Sequence, residues 1–236
     1  MEPLKITFKV ANGVVKSGLP IHLDALLAYA VTERNRSDIE DNPTIETLRA
    51  LGEDLPLDKH AQSSDWVWKA SALMPVGDVY QSSSFYTQRI NQEDFARRVV
   101  DGSIKKAGKT LPLEEMKPHQ YKIDVVRGSQ RALLGYHPVS HVQDLVAYCV
   151  GDKDKIEEIL KEYGYITHIG GRRRSGFGHV LDVIVEPCDE ALELWVHRIR
   201  PWRMSKSDVP VFATTKAPYW EKRARGNNFC TTKCLW

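Results

Sequence analysis

The stretch Ile169-Gly170-Gly171-Arg172-Arg173-Arg174-Ser175-Gly176-Phe177-Gly178-His179-Val180 sets four glycines and three consecutive arginines between two regular elements. Glycine gives the chain positive φ and close backbone approach, and arginine presents a planar fork of donors that fits a phosphate. A loop of this composition suits a polyanion. Before it, residues 153–163 place Ile156, Ile159, Leu160 and Tyr163 at helical spacing, with Asp152 as N-cap and Gly164 as the stop. After it, residues 180–185 are rich in β-branched side chains and predict a strand. The order helix, loop, strand excludes a P-loop or a dinucleotide fingerprint, both of which run from strand to helix, and the loop holds no Gly-Lys-Ser/Thr to take a triphosphate. The competing reading is a solvated basic surface turn.

Outward from this loop, residues 4–10 alternate apolar and polar side chains, as a half-buried strand does, and residues 22–31 form an apolar helix. The acidic stretch 34–64 shows no sustained periodicity and reads as an insertion or mobile surface segment. Strands are expected at 66–73 and 79–87 around a turn at 75–78. Residues 88–117 are polar and basic, with Arg97, Arg98, Lys105, Lys106 and Lys109, and suggest a projecting arm. Strands resume at 121–127 and 142–150. The order predicts the α+β class, a ferredoxin-like βαββαβ sheet with its helices on one face and a glycine-rich loop after the second helix. The expected organisation is one domain over 1–195, with insertions at 34–65 and 75–120, and a basic C-terminal extension over 196–236 packed on it.

The chain has 236 residues and a formal net charge of only +2, unevenly spread. Residues 33–65 are acidic, whereas in the last quarter residues 198–225 set Arg198, Arg200, Arg203, Lys206, Lys216, Lys222, Arg223 and Arg225 against Asp208 and Glu221. That excess favours nucleic acid, though a solvated basic face has the same composition. No segment approaches the roughly 18 apolar residues of a membrane span, and no cationic, hydrophobic leader opens the chain, so a cytoplasmic protein without membrane contact is expected. Cys149 and Cys188 read as structural thiols. Cys230 and Cys234 have the spacing of half a zinc site with no second pair following, so their metal binding stays open, and no metal or other cofactor is expected.

The glycine-rich loop over Gly170 to Gly178 resembles that of the RAMP proteins of CRISPR systems. More narrowly, Leu23-Asp24-Ala25-Leu26-Leu27-Ala28, Tyr148-Cys149-Val150-Gly151-Asp152, Ile169-Gly170-Gly171-Arg172-Arg173 and Ile199-Arg200-Pro201 are similar to the type IV, Cas5-like subunit that caps the guide-RNA filament. The resemblance implies a noncatalytic subunit that grips the 5′ handle of the CRISPR RNA, contacts a Cas7-like backbone subunit, and helps a Cas8-like large subunit recognise target DNA and its adjacent motif. Lys105, Lys106 and Lys109 resemble by position the thumb of such subunits. From the residues themselves, alternate arginines of the loop would straddle two phosphates, with Ser175 and backbone N–H groups as further donors. Phe177, His179, Phe85 and Tyr86 are candidate stacking surfaces for splayed bases, Phe177 being equally suited to core packing. Arg203, Lys206, Arg223 and Arg225 are the candidate DNA contacts.

Guide-processing relatives are metal-independent ribonucleases, so an endoribonuclease acting on repeat RNA is the alternative. His22, at the start of the first helix, is its candidate base, against a capping or packing role. No Ser or Cys nucleophile arrangement and no acidic two-metal cluster is legible. A protein-interaction module with an incidental basic loop is the third reading.

Overall fold

The computed structural model describes residues 1–16, 18–38, 43–62, 65–89, 91–101 and 131–236, which divide into a larger unit, Met1–Ser82 with Val139–Trp236, and a smaller one, Ser83–Pro138. The first strand, β1 (Glu2–Val10), buries Leu4, Ile6 and Phe8 at every second position. It lies between β7 (Asp144–Gly151) and β8 (Val180–Pro187), both antiparallel to it, and β4 (Met74–Val76) adds to the free side of β7. The register sets Ile6 opposite Ala147 on one side and Val185 on the other, and Phe8 opposite Leu145 and Val183, so one face of the sheet is continuously apolar.

Helix α1 (Leu23–Arg34) contributes Leu23, Leu27 and Ala30 to the core over that face, and α4 (Lys153–Glu157) with the wide turn Glu158–Glu162 contributes Ile156, Ile159 and Leu160. The apolar spacing predicts one regular helix here. The structure instead widens after Glu157, with Tyr163 N–H donating to the Glu158 carbonyl at 3.2 Å, while the same side chains stay buried. Asp152 does cap α4, accepting from Lys155 N–H at 3.2 Å, and Gly164 takes φ +67° beyond it.

Three expectations need correction. The acidic stretch is not a featureless insertion: it holds α2 (Ile45–Glu53), capped by Thr44, and β2 (Lys59–Gln62), and it drives Leu55 and Leu57 into the main core. The strand predicted over 66–73 stops early as β3 (Asp65–Trp68), paired with β2, and the following residues make only isolated bridges, Ala70 to Cys149 and Ala72 to His22. The expected turn at 75–78 is partly strand, because Pro75 sits in β4 at the sheet edge, where no ladder partner needs its missing N–H. The strand expected at 121–127 lies outside the described residues. The smaller unit holds α3 (Gln92–Val100) and the outer parts of two paired strands, β5 (Tyr80–Gln88) and β6 (Leu133–His141), which continue into the larger unit; Gly135 leaves room for the Tyr86 ring, which stacks on His137 at 4.7 Å.

Beyond the one-turn helix α5 (Ala191–Leu194), residues 196–236 build a second sheet, β9 (Ile199–Arg200), β10 (Val209–Ala213) and β11 (Gly226–Cys230), in the order β10-β11-β9. Its small core joins Ile199, Ala213, Cys230 and Cys234 to Ala72. Arg198 is fully buried between the two sheets' elements. Its guanidinium donates to the carbonyls of Trp68 (2.7 Å), Ala70 (2.9 Å) and Thr215 (2.8 Å), to the Tyr219 hydroxyl (2.9 Å) and to Asp24 Oδ2 (3.3 Å). The Tyr219 hydroxyl donates to the same carboxylate at 2.7 Å. Burial pushes the Asp24 carboxyl above its ordinary range even against this arginine. Beside them His22 stacks on Tyr219 at 4.6 Å, and its Nε2 accepts Ile199 N–H at 3.1 Å. Among the described residues no helix is long and apolar enough to cross a membrane.

Arg198→Ala leaves Asp24 enclosed without a counter-charge, the Tyr219 hydroxyl its remaining donor, and should cost about 3–5 kcal/mol in denaturant unfolding. Burial, and secondarily Arg198, hold His22 well below its ordinary pKa of 6.5, and burial first of all lowers His197. The folded protein therefore refuses protons that the unfolded chain accepts. Stability should be level above pH ~6.5 and fall below it by up to about 1.4 kcal/mol per pH unit for each such histidine, and His22→Gln should flatten that decline.

Candidate nucleic-acid interface

The arginine loop is folded, and main-chain bonds hold it. Gly171 N–H donates to the Val15 carbonyl (2.7 Å), Gly178 N–H to Gly13 (3.0 Å), and Ile169 N–H to Gly178 (2.8 Å), which closes the base of the loop against the segment after β1. Val14 exchanges two bonds with Ser140, so the anchor is itself fixed. Asn12 Nδ2 donates to the Gly176 carbonyl at 2.9 Å. Two glycines are required by geometry. At Gly170, φ is +89° and a Cβ would lie 2.5 Å from the Val15 carbonyl oxygen; at Gly178, φ is +66° and a Cβ would overlap the Ile169 carbonyl oxygen.

The tip is a 3-10 turn, Arg173–Ser175, entered through Arg172 at φ +58° and left through Gly176 at φ +82°. Left-handed backbone at a residue with a side chain costs about 1–2 kcal/mol, so the loop stores strain at its first arginine. Arg172, Arg173, Arg174 and Ser175 are all exposed. The expected arrangement, with alternate arginines side by side, assumes extended backbone. In the 3-10 turn Arg173 and Arg174 fan round the axis instead, with Arg172 entering from outside the turn. Arg173 Nη1 donates to the Tyr29 hydroxyl on α1 at 3.1 Å.

The other candidates divide. Phe177 is half-buried beside the loop's base, between core packing and exposure. His179 is exposed and bridges His168, their rings 5.1 Å apart. Phe85 and Tyr86 belong to the smaller unit, Phe85 open to solvent and Tyr86 stacked on His137. Lys105, Lys106 and Lys109 lie outside the described residues. The basic C-terminal stretch is less available than its composition suggests: Arg198 and Arg200 are buried in ion pairs with Asp24 and Asp208, and Lys216 pairs with Asp65. Arg203 is exposed although its Nη2 donates to the Asp208 carbonyl at 2.9 Å and it lies over the Phe229 ring; Arg225 is half-buried, and Lys206 and Arg223 are exposed. Pairing of Val209 with Cys230 and of Ala213 with Gly226 sets Arg203 and Lys206 beyond one end of the β10-β11 ladder, and Arg223 and Arg225 beyond the other. Roughly 13 Å of strand separates those ends, so the four cations form two groups.

His22 is only 1% exposed, with Nε2 already accepting a backbone bond. Cys230 and Cys234 are buried, the first donating to the Thr231 carbonyl at 3.4 Å and the second 3.0 Å from the Thr231 hydroxyl, and the interaction between the two thiols lifts the first one's pKa and lowers the second's. Among the described residues no three His, Cys, Asp or Glu side chains are grouped to hold a metal ion.

Reasoning from sequence missed Asn12, the Val14–Val15 anchor and Tyr29. Asn12-Gly13 carried a signal, since it follows a strand and marks a turn; Tyr29, inside an apolar helix, carried none. No curated protein matches the chain. A family model, described as CRISPR type IV associated protein Csf3, matches residues 2–231. With the match running through both sheets and the arginine loop, the chain belongs to the CRISPR type IV associated Csf3 family.

Proposed function

We propose that this chain is a noncatalytic RNA-binding subunit of a type IV CRISPR ribonucleoprotein, whose arginine loop grips the 5′ handle of the CRISPR RNA. The observation that carries the reading is the loop itself: three exposed arginines on a tip that main-chain bonds and obligatory glycines hold in one shape. A preorganised cationic tip loses little entropy on meeting a polyanion, unlike a solvated turn. The sheet order β4-β7-β1-β8, antiparallel throughout with α1 and α4 on one face, supports a ferredoxin-like RAMP core in which the loop follows the second helix. In this reading the subunit caps a backbone filament and meets the large subunit, and it works in the cytoplasm without a cofactor. The enclosure of His22 supports binding over catalysis, and repeat RNA incubated with the protein should stay intact.

Replacing Arg172, Arg173 and Arg174 together by Ala should weaken binding of handle RNA and make the slope of log affinity against log salt shallower by about 1–2, the signature of lost phosphate contacts. An unchanged slope with unchanged affinity defeats the RNA reading. The exposed C-terminal cations are proposed to approach the target duplex. Lys206→Glu with Arg223→Glu should reduce target-DNA binding by the assembled complex and spare guide RNA, as read by gel shift on each nucleic acid; the reverse pattern would assign these residues to the guide.

A further inference from the structure

A cavity of about 300 Å³ opens where α1 and α2 meet residues 217–220, with Ala28, Tyr29, Thr32, Leu48, Tyr219 and Trp220 in its lining. Trp220 is 63% exposed and Tyr29 37%, so both rings offer surface to a ligand. The wall opposite solvent is fixed: the Tyr219 hydroxyl is bound by Asp24 and Arg198, and the ring is stacked on His22. The cavity also adjoins the arginine loop, because the Tyr29 hydroxyl that accepts from Arg173 sits on a ring lining it.

We propose that this cavity seats one unpaired nucleobase of the RNA whose phosphates the arginine loop holds, with Tyr29 and Trp220 as its stacking surfaces. The inference rests on the RNA reading above and adds a base-binding subsite to it. Its volume is at the small end for ligand sites and suits a single ring system, not a helix. Its lining is mostly apolar, the Glu33 carboxylate within it is held by Arg36 at 3.0 Å, and Arg173 of the loop donates to the Tyr29 hydroxyl, so a flat ring carried on an anionic chain would seat the ring in the cavity and its phosphates at the loop. Aromatic stacking of this kind tolerates any base and contributes roughly ten- to hundredfold in affinity.

The test uses the purified full chain and single-stranded RNA of the handle sequence carrying one abasic residue, moved along the strand. The wild-type protein should show one position where loss of the base costs roughly tenfold or more. Trp220→Ala should weaken unmodified RNA to a similar degree and abolish the penalty at that position alone; Tyr29→Phe, which keeps the ring, should retain it. On the unaltered protein, 5-iodouridine at the same position should crosslink to a peptide containing Tyr29 or Trp220. An abasic profile untouched by Trp220→Ala, or crosslinks confined to other peptides, overturns the subsite. If the triple arginine variant weakens RNA while the abasic profile ignores Trp220, only the subsite falls. If the triple variant binds as the wild type does, the RNA reading falls with it.

Discussion

The buried guanidinium of Arg198 is the tie on which the larger unit depends. It reaches the first turn of α1 through Asp24, the end of β3 and the irregular chain after it through the Trp68 and Ala70 carbonyls, and the 215–219 segment through Thr215 and Tyr219. Helix α1 has its own ladder of bonds, whereas the chain just after β3 and the 215–219 segment lie outside any strand. A side chain with five donors in a rigid plane supplies, from one position, the partners that a longer ladder would have given. The ionic pair alone is weak support, since burying two charges costs much of what their attraction returns. The neutral carbonyls around it make the arrangement favourable.

This tie changes the meaning of the chain's charge distribution. A basic C-terminal quarter suggests a nucleic-acid surface, yet two of its arginines are internal and two of its cations engage acidic or carbonyl partners. Among the described residues, exposed positive charge therefore gathers at the glycine-rich loop and beyond the two ends of the β10-β11 ladder. Two carboxylates of the acidic 33–65 stretch likewise act within the fold, Asp65 with Lys216 and Asp58 with Lys69.

The two βα layers were legible because their signals are local: alternation in β1, the apolar spacing of α1 and α4, the Asp152 cap, and the β-branched run of β8. The arginine loop was legible for the same reason, since glycines and arginines in that density have few structural uses. What was hidden depends on contacts distant in sequence. Nothing near Arg198 shows that it pairs with Asp24, 174 positions away. Leu55 and Leu57 sit among acidic residues and prolines, so no window average marks them as core. The backbone at Arg172 is left-handed because the anchor to Val15 and the turn to Gly176 leave it no other path, and no propensity predicts that for arginine.

Because the loop is fastened through amides and carbonyls, its outline does not depend on which side chains decorate the tip. Lineages could exchange arginine for lysine, serine or threonine there and so dial the grip on a transcript up or down, keeping the scaffold unaltered. Glycines 170 and 178 have no such latitude. Divergence in this family should accordingly run fastest at the decorations and slowest at the two hidden pivots beneath them.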